Sequence, residues 1–192
     1  MYSKRPSIIV GFHGCDEEVR NNIVNNRIEM KKSCNKYDWL GKGFYFWENN
    51  YDRALSFAKE QQERGRINTP SVLGAYIDLG NCLDLLDSKY LARLRGAYDQ
   101  LKKSFEQLGQ ELPVNKPVST SPDLILRPLD RAVIEMHVAQ ANPAYDSVRG
   151  VFWEGEDLYP GAGMKEKNHI QISIRDIDCI KCFFIPRKLK KQ

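Results

Sequence analysis

Three short segments combine residue types that can hold or act on a small molecule. Phe12-His13-Gly14 sets an imidazole directly after an apolar run, and histidine is the side chain that exchanges a proton near neutral pH. In Gly41-Lys42-Gly43-Phe44-Tyr45-Phe46-Trp47, two glycines let backbone come close to a ligand and the aromatics can stack on a flat ring. His169-Ile170-Gln171-Ile172 alternates polar and apolar residues, so a strand here presents His169 and Gln171 together on one face. Each segment also has a plainer reading: a rim histidine, core aromatics beside a turn, and a strand face turned to solvent. Glu154 and Glu156 precede the third segment. They are either carboxylates that steady developing positive charge or a solvated acidic turn. Tyr159-Pro160-Gly161-Ala162-Gly163 reads as a lid. Arg149, Lys165 and Lys167 read as phosphate-neutralising cations or as surface charge.

Several elements must position these groups. Ser7–Phe12 reads as a buried strand. Asp16 is a plausible cap for a helix to about Met30, with Val19, Ile23 and Ile28 as its stripe. A Lys-rich loop covers 31–38, and a strand follows through Trp47. Asn49 or Asn50 caps a helix to about Arg66, with Ala54, Phe57 and Ala58 inward. Val72–Leu79 is strand-like and Gly80-Asn81 ends it. Leu83-Asp84-Leu85 is a further short strand. Leu91, Leu94, Tyr98, Leu101, Phe105 and Leu108 recur every three or four residues, a helix over 88–108 that Gly109 stops. A Pro-, Ser- and Thr-rich loop covers 110–128, then a helix 130–141. Strands at 148–153, 170–175 and 181–185 close the chain. Helices are interspersed early and strands run together late, which gives α+β rather than a doubly wound sheet.

With 192 residues, 42% hydrophobic and 28% charged, the chain has globular composition and fits one domain, 1–192, at roughly 100–200 residues per domain. The helical segment of about 87–141 is read as an insertion. No apolar run approaches the roughly 20 residues of a membrane helix, and Ile8-Ile9-Val10 is too short for a signal-peptide core. A cytoplasmic protein with no membrane partner is expected. The charge is 29 basic against 25 acidic residues, +4. Arg187, Lys188, Lys190 and Lys191 in the basic tail 187–192 account for the whole excess, since 29 − 4 leaves 25 against 25. Five cysteines, an odd number, argue against a disulfide framework. The lone Cys179-x-x-Cys182 lacks a second pair, so both are read as small residues in a buried strand and no metal site is expected.

Taken together, the order strand-His-Gly, Gly-Lys-Gly-Phe-Tyr-Phe before a helix, and a late strand with a polar residue near its start resembles the ADP-ribosyltransferase fold. The resemblance is to the poly(ADP-ribose) polymerase and diphtheria-toxin-like branch with its His-Tyr-Glu triad. It implies a split β-sheet core with flanking helices and an inserted helical segment. It implies cleavage of NAD at the nicotinamide–ribose bond and transfer of ADP-ribose to an acceptor. In that pattern His13 bonds the adenosine ribose, the Gly14 backbone holds the carboxamide, Tyr45 stacks on nicotinamide beside Gly43, and Phe57 is the nearest second aromatic. Gln171 stands where the family has Glu. A neutral amide bonds a hydroxyl but supplies no full charge, at about 2–4 kcal/mol of transition-state stabilisation, so Glu154 or Glu156 is a candidate for that role. The resemblance implies a mono-ADP-ribosyltransferase, a bacterial intracellular toxin of toxin–antitoxin or anti-phage type. Its expected partners are NAD, an RNA, DNA or protein acceptor, and a cognate antitoxin. Two alternatives stand beside it: an NAD glycohydrolase, and a non-catalytic module binding NAD, ADP-ribose or protein.

Overall fold

The computed structural model describes residues 8–35, 38–117, 124 and 126–187. Ser7 at the expected start of the first strand, part of the 31–38 and 110–128 loops, and the tail from Lys188 onward lie outside those residues. Among the described residues seven strands form one mixed sheet, with four α-helices, so the fold is α+β. In chain order the strands are β1 (Ile8–Asp16), β2 (Phe44–Glu48), β3 (Pro70–Asp78), β4 (Cys82–Asp84), β5 (Ser147–Phe152), β6 (His169–Ile174) and β7 (Ile180–Phe184). Their order across the sheet is β4-β5-β6-β2-β1-β3-β7. All neighbours are antiparallel except β4–β5. The joins are uneven. β1 and β3 are in register over nine pairs, whereas β1 and β2 share two, Gly11 with Glu48 and Phe12 with Trp47. The sheet is therefore continuous, but narrowest at its centre.

Strand alternation sorts the side chains. Phe44, Phe46, Leu73, Ala75, Ile77, Ile172 and Ile174 build the larger core on one face. Tyr45, Val148 and Phe152 join Trp39, Leu40 and Ile134 on the other, and Trp47 packs there with Val72 and Ala54. The helix α2 (Tyr51–Glu63) lies on this second face, capped by Asn50, whose side chain accepts from Arg53 N at 3.0 Å. Asn49 takes φ +46° at the entry, a conformation asparagine tolerates better than most residues. Ala54 and Ala58 are buried, while Phe57 is half-buried.

The helix α1 (Glu17–Val24) is shorter than the sequence suggests. Asp16 caps it as expected, accepting from Glu18 N at 3.0 Å and from Asn68 N and Thr69 N with its other oxygen. It ends at Asn25-Asn26, with Asn26 at φ +54°. Asparagine amides compete with helical hydrogen bonds, so of the expected stripe only Ile23 is buried, and Val19 and Ile28 are exposed. The helices α3 (Ser88–Gln107) and α4 (Pro128–Ala139) stand between β4 and β5 and pack through Leu101, Ala97 and Val133. Gly109 at φ +63° ends α3, as a left-handed residue after a helix commonly does. Pro128 opens α4, where its missing N–H costs nothing. No helix among the described residues is long and apolar enough to cross a membrane. Cys179 is buried in a 3-10 turn, but Cys182 is exposed on β7, so only one of the pair is a core residue.

A buried ion cluster ties three strands. Arg149 donates to Glu48 at 2.5 and 3.1 Å and to Asp84 at 3.2 and 3.3 Å. Removing the cation leaves two poorly solvated carboxylates facing each other, a loss of about 3–5 kcal/mol. Arg149→Met should lower the urea-unfolding free energy by about that amount; a loss below about 1 kcal/mol would mean the cluster contributes little.

Candidate functional site

The three segments singled out in the sequence fall on three adjacent strands. β6 carries Gln171, β2 carries Tyr45 and β1 carries His13. The register decides what meets what. Phe12 stands opposite Trp47, so Gly14, two residues on, shares a face with Tyr45, while His13 falls on the face of Phe46. The His13 ring accordingly packs edgewise on Phe46, centroids 6.0 Å apart. The imidazole and the phenol do not converge through their side chains. Their link runs through the backbone: His13 Nδ1 lies 2.8 Å from the Tyr45 carbonyl oxygen. A carbonyl only accepts, so Nδ1 carries the hydrogen and Nε2 keeps its lone pair. Burial holds the His13 pKa below its ordinary value, against the opposing effect of that hydrogen bond, so the ring is neutral near pH 7.

Tyr45 is fixed at its hydroxyl, which donates to Gly41 O at 2.6 Å and accepts from Leu40 N at 3.0 Å. Burial pushes its pKa far up. The phenol therefore works as a clamp on the Leu40–Gly41 turn, with its ring half-buried on the second face. Gly41 takes φ +84° in that turn. Gly14 is required by packing, because a Cβ there would sit 2.2 Å from the Ala54 carbonyl oxygen of α2. Gly43 bonds Ser33 in both directions across a bridge, and a Cβ on it would meet Ser173 Oγ.

Gln171 stands opposite Trp47 and, on its other side, Gly150. It is half-buried and shares the face of Tyr45. Phe57 reaches this face as well, its ring 5.1 Å from Trp47. Glu154 lies close by but is engaged: Arg53 Nη2 donates to it at 3.0 Å, and His169 Nδ1 is 3.7 Å away. Glu156 is exposed. The cations expected for a phosphate are likewise committed, Arg149 to Glu48 and Asp84, Lys165 to Asp157 at 3.3 Å and Lys167 to Glu60 at 3.1 Å. Tyr159 is exposed, and a turn from Tyr159 to Ala162 closes the stretch read as a lid.

Sequence reading alone did not single out Arg53 or the environment of His169. Arg53 lies over the Trp47 ring at 5.5 Å and bonds a glutamate 101 residues away; no local pattern announces such a pair. His169 is enclosed between Trp47 and Phe152 and bonds the Lys167 carbonyl at 2.6 Å through Nδ1. Burial again lowers its pKa. Trp47 Nε1, Arg53 Nε and His169 Nε2 are all buried without a partner among the described residues, an unusual concentration of unmet polar atoms, with His169 two residues from Gln171. Two cavities, about 540 and 290 Å³, lie on the side of α3 and α4 and are lined by none of His13, Tyr45 and Gln171. Among the described residues no group of three or more His, Cys, Asp or Glu is arranged to hold a metal.

No protein family, curated protein or solved structure matches this chain.

Two outcomes follow. Tyr45→Phe removes both hydroxyl bonds and leaves the Leu40 N–H without its partner, so unfolding should ease by about 1–3 kcal/mol in urea titration. All three histidines have lowered pKa values, chiefly through burial. Unfolded histidine titrates at 6.5, so below that pH the unfolded chain binds protons the folded one does not. Stability should be flat from pH 8 to 7 and fall as pH drops from 6.5 toward 5.5, with at most about 1.4 kcal/mol per pH unit for each histidine. A midpoint that rose over that interval would contradict neutral, buried rings.

Proposed function

We propose that the protein is an NAD-dependent mono-ADP-ribosyltransferase acting from the face that bears Tyr45 and Gln171. The observation that carries this reading is the adjacency β6-β2-β1. Three segments spread from residue 12 to residue 172 fall on neighbouring strands, as a single site built from them requires. The short β1–β2 ladder supports it, because backbone beyond Phe12 and Trp47 is left outside the registered pairs.

In this reading the half-buried ring of Tyr45 stacks on nicotinamide, with Phe57 and Trp47 behind it, and the Gly14 backbone meets the carboxamide. His13, whose ring lies on the Phe46 face, acts on this site only through its Nδ1 hydrogen bond to the Tyr45 carbonyl, which holds β2 against β1. The bond between ribose C1′ and the nicotinamide nitrogen breaks, and nicotinamide leaves with the electron pair. The acceptor nucleophile attacks C1′ and gives up its proton. Gln171 orients a ribose hydroxyl through its amide. The acceptor is a macromolecule, RNA, DNA or protein, and an antitoxin that covers this face is the corresponding partner in a bacterial cytoplasm. A second reading, a module that binds NAD or an ADP-ribosyl group without turnover, draws on one observation: Gln171 is neutral and Glu154 is tied to Arg53.

Incubation with adenine-labelled NAD and cell extract separates these. Transfer predicts nicotinamide release with label on a macromolecule, removed by nuclease or by protease according to the acceptor. Free ADP-ribose alone means hydrolysis. Gln171→Glu should raise nicotinamide release by about a hundredfold, equivalent to about 3 kcal/mol of charge stabilisation. If wild type, Tyr45→Ala and Gln171→Glu all release none, the enzymatic reading fails.

A further inference from the structure

The larger cavity, about 540 Å³, opens between α3, α4 and the β5 edge of the second face. That volume lies within the range of small-molecule sites, roughly 300–1,000 Å³. Eight of its fifteen described lining residues are Leu, Ile or Val, among them Leu40, Leu94, Val133 and Ile134. Leu91 and Val151, also on the wall, are half exposed to solvent, at 51% and 50%. Aliphatic surface left open in a concavity is stabilised by an apolar occupant at about 25 cal/mol per Å² removed from water.

The polar groups on the wall are uneven in sign. Arg95 is exposed, and among the described residues it forms no ion pair. Arg127 lies over the Trp39 ring at 4.3 Å and near Phe152 at 5.4 Å, and donates from Nε to the Leu124 carbonyl. It too lacks a carboxylate partner among those residues. Among the described lining residues the one acid is Asp130, which accepts from Asn115 Nδ2 at 2.7 Å. Because Arg127 already covers the Trp39 face, the wall left to an occupant is chiefly aliphatic, with two guanidinium groups beside it.

We infer that this cavity is a binding site for an amphipathic carboxylate, an acyl chain seated on the leucines with its anionic end toward Arg95 and Arg127. Guanidinium groups bind carboxylates through paired donors, and the chain supplies the apolar area. The inference does not depend on the reaction proposed above.

The test is a titration of the full chain with dodecanoate below its micelle concentration, followed by calorimetry and tryptophan fluorescence. One equivalent should bind saturably, with a signal from Trp39 that Trp39→Phe removes without abolishing the heat. Dodecanol, equal in length but uncharged, should bind at least about tenfold more weakly, in line with about 1.4 kcal/mol for a charge-assisted contact. Arg95→Gln, at an exposed position, should narrow that ratio. Leu94→Trp should block both ligands, and Val151→Asp, at the exposed rim, should weaken dodecanoate more than dodecanol. Circular dichroism establishes that each variant is folded. The inference is overturned if dodecanoate does not saturate, if several molecules bind per chain, or if the wild type binds acid and alcohol equally.

Discussion

The short join between β1 and β2 is the constraint on which the rest of the structure turns. Nine pairs hold β1 to β3, four hold β2 to β6, and two hold the halves together. Those two pairs set the register, and in a strand a shift of one residue would exchange every side chain between faces. Gly14 rather than His13 shares a face with Tyr45 for that reason alone. The His13–Tyr45 hydrogen bond then closes part of what the ladder leaves open, using a side chain where a strand would use an amide.

Polar groups at this centre are either committed or unmet. Tyr45 spends its hydroxyl on the Leu40–Gly41 turn, Arg149 is shared by Glu48 and Asp84, and Glu154 is neutralised by Arg53. These bonds are the condition for burial, since an unpaired charge away from water costs several kcal/mol. Around His169 the accounting stays open, with Trp47, Arg53 and His169 each holding a buried polar atom without a partner among the described residues. Lowered pKa values keep His13 on one face and His169 on the other neutral.

The helical segment between β4 and β5 has a different character. Its contacts with the sheet run through the Trp39–Leu40–Phe152 cluster, and it leaves a largely aliphatic cavity there. Leu40 belongs both to that cavity and to the turn held by Tyr45. The clamp and the cavity are thus mechanically adjacent although no residue of the triad-like set lines the cavity.

Much of the scaffold was legible locally. Strand alternation, the Asp16 cap, the asparagine before α2 and the 88–108 stripe are short-range signals, and each produced its element within a few residues. The helix after Asp16 was overestimated because its apolar positions suggested continuation while four asparagines favoured termination. Residue chemistry was legible too: an imidazole after a strand, a tyrosine in a glycine-flanked run, a glutamine on an alternating strand. Tertiary structure alone decided which of these share a face, which charges are already spent and where a cavity lies. Register, the pairing of Arg53 with Glu154 across 101 residues, and the burial of Arg149 are long-range outcomes of packing, and a linear pattern carries no term for the distance between residues far apart along the chain.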